Sequence, residues 1–210
     1  MGLLSLLFTN PALFILLALI LLYSVIFHEV AHGWVARFFG DDTAWRYGRL
    51  TLNPVAHLDP IGTLMLFIVG FGWAKPVPVN YHRLSNSRFG LIAVSLAGCL
   101  TNILIAIIAI LLLQFQSLST NPAFSTLLSI VVKINIILGA FNLIPIPPLD
   151  GSKILMGLLP EEAQQGLARL EPYGFFILAF LLITGLLNPV ISFMQNLIYG
   201  FIALLLSFFR

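Results

Sequence analysis

His28, Glu29 and His32 close an apolar run, residues 14–32, that carries no charge before them. On an α-helix, positions i and i+4 share a face, so the imidazoles of His28 and His32 can point at one metal ion. Glu29, next door, can reach a water bound to that ion, which is the arrangement of metal-assisted hydrolysis. Three polar, titratable side chains at the end of a membrane-length segment are costly to keep there. That cost is itself a sign of chemistry.

Catalytic zinc usually takes three protein ligands and keeps one position open, so two histidines leave a third ligand to find. Asp59, Asp150, His57 and His82 are the polar candidates close to membrane depth. Asp150 is favoured, because it follows Pro145, Pro147 and Pro148. Three prolines in four residues end a helix and are expected to leave this carboxylate on non-helical backbone at the mouth of a span.

The elements that carry these groups must be membrane helices. The chain has 210 residues, 60% hydrophobic and 9% charged, with a mean hydropathy of +1.04. A soluble domain carries about 25% charged residues, so this chain lacks the polar surface to face water. A net charge of +2 is too small to indicate nucleic acid, and the single cysteine, Cys99, excludes an internal disulfide. Residues 1–10 hold no Lys or Arg, unlike the start of a signal peptide, and the N-terminus is read as retained.

The pattern predicts an all-α polytopic membrane protein of about five transmembrane helices and one short re-entrant or β-hairpin element. Spans are expected over about 11–38, 89–115, 124–144, 172–187 and 190–208. Residues 61–73 are apolar but too short to cross as a helix, so 61–79 is read as a membrane-dipping piece. The first helix opens at Asn10-Pro11 and ends near Gly40, and its histidines sit about 14 Å inside the end marked by Arg37. The whole chain, 1–210, reads as one domain, with a catalytic core over about 11–151 and a C-terminal helical hairpin over about 172–208. Lys and Arg cluster in 37–60, 74–88 and 152–171 and recur at Arg210, while 116–123 has none. By the positive-inside rule, five alternating spans put every basic cluster, Arg210 included, in the cytoplasm, with His28, His32 and Asp150 towards that face.

The chain resembles the site-2 protease family of intramembrane zinc metalloproteases, in its compact prokaryotic form without a PDZ domain. The likeness rests on His28-Glu29-Val30-Ala31-His32 and on Asn142-Leu143-Ile144-Pro145 through Leu149-Asp150-Gly151. It extends to Leu52-Asn53-Pro54, to His57-Leu58-Asp59-Pro60-Ile61-Gly62 and to Trp73-Ala74-Lys75-Pro76-Val77-Pro78-Val79. The resemblance implies one zinc ion per chain on His28, His32 and Asp150, with Glu29 as general base. It implies that Asn142 positions the substrate or polarises its carbonyl. Ala97-Gly98-Cys99 stands where the family usually reads Ala-Gly-Pro, with Asn102 in the family's polar position. The implied substrate is a transmembrane protein cut within the bilayer of a prokaryotic cell membrane, with no nucleic acid partner; oligomeric state is left open.

Plainer roles stand beside these. Asn142 and Asn102 can be interhelical hydrogen-bonding residues. His57 and Asp59 can shape their loop, His57 by bonding a backbone carbonyl, or support the site from behind. Lys133, near mid-span and too deep to snorkel, reads equally as a satisfied buried lysine or as part of a water path. The competing function is a membrane metal transporter or channel using the same His/Asp cluster. Glu29 argues against it, because a transit site has no special need of a carboxylate beside two histidines.

Overall fold

The computed structural model describes residues 3–68 and 73–208. In chain order the helices are α1 (Leu3–Thr9), α2 (Pro11–Phe38), α3 (Thr43–Arg46), α4 (Pro60–Ile68), α5 (Ser87–Leu113) and α6 (Gln116–Ser119). They continue with α7 (Pro122–Asn142), α8 (Asp150–Leu158), α9 (Glu161–Ala168), α10 (Glu171–Ile183) and α11 (Asn188–Ser207). Among the described residues there is no β-strand. The protein is an all-α, multi-pass membrane protein.

Asn-Pro pairs start several of these elements. Asn10 accepts from Leu13 N–H at 3.1 Å, and Asn121 accepts from Ala123 and Phe124, each followed by a proline whose missing N–H costs nothing in a first turn. Helix α5 is the centre of the bundle, packing on α2, α7 and α8, while α11 packs on α7. Its buried Ala97, Ala106 and Ala109 allow close approach, and Ile103 joins Val132, Ile136, Ile198 and Ile202 in one apolar core.

Three expectations need correcting. Asp150 is not on irregular backbone: Leu149 is the extended N-cap and Asp150 opens α8, where a carboxylate also complements the helix dipole. The prolines stop at 148, so nothing prevents a helix from starting two residues later. The expected span over 172–187 is a 13-residue helix, α10, bent by 64° from α9. Four helices (α2, the Arg88–Leu113 part of α5, α7 and α11) are long and apolar enough to cross, or five spans if the bent pair counts as one.

The third correction is direction. Leu178 and Leu187 share an apolar cluster with Ile144 and Leu149, so the chain from α10 to the start of α11 stays at the depth of the proline turn. From there α11 runs antiparallel to α7, and Leu206 and Ser207 line a groove with Gln114. The end of α11 therefore lies on the side of the uncharged 114–121 turn, opposite the basic loops. Arg210 itself is outside the described residues, as is the 69–72 part of the dipping segment.

The rest of that segment is helix α4 followed by an extended run, 73–80, laid along the end of α2. Buried Asp41 accepts from Asn80 N–H at 2.7 Å and from Thr43 N–H and hydroxyl. Lys75 donates its N–H to His57 O at 2.8 Å, and Arg49 donates to Lys75 O at 2.8 Å. Outside the bundle, the Arg46 guanidinium beside Asp42 holds that carboxyl below its usual range, with Arg83 adding to the effect.

Candidate metal centre

Helix α2 delivers His28 and His32 on one face, both buried, and the start of α8 delivers the half-buried Asp150. His28 Nε2 lies 3.0 Å from Asp150 Oδ2, His32 Nε2 lies 3.1 Å from the same oxygen, and the two Nε2 atoms are 3.0 Å apart. The other ring nitrogens are occupied. His28 Nδ1 is 2.7 Å from Asn102 Oδ1, and His32 Nδ1 is 2.7 Å from the Val94 carbonyl.

Both of those partners are acceptors, so each Nδ1 carries a proton, and in the neutral ring each Nε2 presents a bare lone pair. The Asn102 assignment is fixed by its own amide group, which donates to Asn135 Oδ1 at 2.9 Å and to Ser24 O at 3.3 Å. Asn135 in turn donates to Ser24 Oγ and Val131 O. With both rings neutral, two lone pairs and a carboxylate oxygen converge on one point, a repulsive arrangement that a cation relieves. Ligand atoms around tetrahedral zinc, at about 2.0–2.1 Å from the ion, stand about 3.3–3.4 Å apart. The donor set and its spacing fit such an ion.

Gly98 of α5 faces this triangle. A Cβ there would come within 2.5 Å of both Nε2 atoms, so only glycine lets α5 pass this close to the two imidazoles. Beside the triangle is a cavity of about 470 Å³ whose walls include His28, Glu29, Asn142 and Lys153. Glu29 is not loose in it: its Oε2 accepts the Val77 N–H at 2.9 Å. Pro76 and Pro78 have no N–H, so within this Pro-Val-Pro the one available donor goes to Glu29.

Asn142 lies in the cavity wall and donates back to Leu138 O at 3.0 Å. Asn102 supports His28 from behind. His57 and Asp59 are elsewhere: His57 is fully buried and donates from Nε2 to Thr51 O at 2.8 Å, the backbone-carbonyl role foreseen as its plainer reading. Asp59 Oδ1 accepts the Gly62 N–H at 2.7 Å at the start of α4. Neither is among the residues lining the cavity.

Four features escaped the sequence reading: the Val94 carbonyl, the Asn135–Ser24 continuation behind Asn102, the Val77 N–H, and Lys153, which donates to Tyr81 hydroxyl at 2.9 Å. Backbone partners leave no signature in residue type. Ser24 and Asn135 did leave one, as polar residues inside apolar spans.

The family model of peptidase family M50 matches residues 115–185. The zinc metalloprotease by name YwhC of Bacillus subtilis is 42% identical over 187 residues, covering 86% of this chain and 85% of that protein. The chain belongs to peptidase family M50, the site-2 proteases. As an M50 member it is a zinc metalloendopeptidase. MJ0611 of Methanocaldococcus jannaschii, also a zinc metalloprotease by name, is 34% identical over 157 residues, covering 70% of this chain and 75% of that one. A solved site-2 protease from the same organism aligns over 94% of this chain and 81% of its own at 22% identity, with a TM-score of 0.43.

Proposed function

We propose that this M50 protein is an intramembrane endopeptidase that hydrolyses peptide bonds within or near transmembrane segments of other membrane proteins. In this reading one zinc ion per chain is held by His28, His32 and Asp150, and the site faces the cytoplasmic side of a prokaryotic cell membrane. The observation that carries it is the 3.0–3.1 Å triangle of His28 Nε2, His32 Nε2 and Asp150 Oδ2 beside Glu29, inside a bundle of membrane-length helices. The whole of 1–210 acts as one unit, because the ligands come from both halves of the bundle.

Zinc, when bound, supplies the Lewis acidity that makes water a nucleophile near neutral pH and polarises a peptide carbonyl. The chain supplies the rest. Glu29, aimed by the Val77 N–H, takes a proton from the attacking water and returns it to the leaving amine, a contribution of about 10²–10⁴-fold. The Asn142 amide retains one N–H beyond its bond to Leu138 O, and in the cavity wall it donates to the substrate carbonyl as charge develops there. The substrate segment unwinds to expose that carbonyl and lies extended along residues 73–80.

The test is cleavage of a model transmembrane substrate by purified protein, with the cut bond mapped by mass spectrometry and zinc measured in parallel. Glu29→Gln keeps zinc and stops cutting; His28→Ala loses both. Normal cutting by Glu29→Gln removes the catalytic assignment, and a cut only in soluble peptides removes the intramembrane one.

A further inference from the structure

Lys133 is the one charge in the middle of α7, and it does not look into the bundle. Its neighbours Val132 and Ile136 are buried in the apolar core, which turns Lys133 to the outer face, where it is exposed. It lies 11 residues after Pro122 and 9 before Asn142, or about 16 and 14 Å along the axis from the two ends. A lysine side chain does not span either distance, so the ammonium stays in the apolar zone. Among the described residues it has no hydrogen-bond or ion-pair partner. It is neither a satisfied buried lysine nor part of the cavity beside the triangle.

Lys133 lies in a groove of about 420 Å³ between α5, α7 and α11. Ser129 on α7, and Gln195 and Tyr199 on α11, line it too, so two i,i+4 polar pairs face one another across an otherwise apolar seam. Ser129 donates its hydroxyl back to Ser125 O, whereas Gln195 and Tyr199 have no polar partner among the described residues. The seam offers an ammonium, an amide and a phenol hydroxyl, three kinds of donor and one positive charge. A carboxylate satisfies all of them.

The occupant follows from depth and from where the acids of this chain are. All eight are Glu29, Asp41, Asp42, Asp59, Asp150, Glu161, Glu162 and Glu171, and none is in α5, α7 or α11. A second copy docked on this face by two-fold symmetry would bring Lys133 against Lys133. A lipid phosphate sits at headgroup level, above the groove. We propose that the α7–α11 groove docks a transmembrane helix of another protein that carries an Asp or Glu near its middle. This surface shares no lining residue with the cavity that holds Glu29, so the partner is bound apart from the segment being cut. The inference rests on the membrane-spanning reading of α7 and stands whether or not the protein cuts within the bilayer.

The experiment uses the full chain, labelled with a donor fluorophore at its C-terminus, in phosphatidylcholine vesicles at pH 8. It is titrated with an acceptor-labelled Leu-rich transmembrane peptide holding one central Glu. Energy transfer should saturate. Replacing the peptide Glu by Gln should weaken association at least tenfold, as should Lys133→Met, and the two changes together should cost no more than either alone. Gln195→Leu should fall between. The peptide change is read on the native protein, so the proposal is tested even if Lys133→Met fails to fold. Equal binding of the Gln and Glu peptides overturns the proposal, as does unchanged binding by Lys133→Met. So do displacement of the peptide by added phosphatidylglycerol only when Lys133 is present, which makes the lipid the occupant, and self-association of the protein that needs Lys133.

Discussion

Asn102 accepts from His28 Nδ1 and so decides which nitrogen of that ring faces Asp150. Replacing it with alanine leaves the ring free to flip or change tautomer, and the expected outcome is a 10–100-fold weaker zinc affinity in a chelator competition, with the helices intact. Gly98→Ala acts from the other side. Its methyl group would enter the space of both Nε2 atoms, so purified protein should carry far less zinc than wild type while α5 itself, given the high helix propensity of alanine, still forms. His28, Glu29 and His32 stood out in the sequence because their types and spacing suit one chemistry, whereas Asp150 was one of four candidates until the structure put it beside the two imidazoles. Asn102 was only half legible: an amide inside an apolar span announces a hydrogen bond without saying to whom. Val94 was not legible at all, since it contributes a main-chain oxygen that any residue has.

At the scale of elements, the extended run 73–80 does for Glu29 what Asn102 does for His28. Val77→Pro removes the N–H at Glu29, and a hydrogen bond to a charged group is worth about 1.5–3 kcal/mol. The expected result is a fall in kcat of roughly one to two orders of magnitude with a smaller change in KM. Val77→Ala, which keeps the N–H, should leave kcat near that of wild type. If both variants lose activity alike, the side chain and not the donor is what matters. Helix ends were legible where Asn10-Pro11 and Gly40 punctuated the apolar pattern, while the start of α7 at Asn121-Pro122 lies two residues before the expected 124. The start of α8 was misjudged because the proline rule says where a helix stops and nothing about how soon the next begins. Helix α10 was misjudged because Phe175, Phe176, Leu178 and their apolar neighbours read as a crossing by composition, while their packing on the 144–149 turn decides the direction.

For the molecule as a whole, antiparallel packing of α11 on α7 carries a topological prediction. In a Cys99→Ser background, a membrane-impermeant maleimide should reach Cys introduced at Ser119 and at Ser207 from the same side, and at Gln165 from the other. Labelling of positions 207 and 165 from one side would restore the alternation expected from the basic clusters. Counting charges could not detect this, because loop charge fixes sides only for segments that cross, and the direction of α11 is set by the packing of α10 on the 144–149 turn. The polar groups that do sit at depth tie the bundle together: Ser24 on α2, Asn102 on α5 and Asn135 on α7 bond one another, and the His28–His32–Asp150 triangle joins α2 to α8. The third corner of that triangle, Asp150, stands 122 positions downstream of His28. A chain still emerging from the ribosome therefore cannot complete the cluster until α7 has entered the bilayer. Until then the two imidazoles alone offer an ion fewer than the three protein ligands that catalytic zinc usually takes.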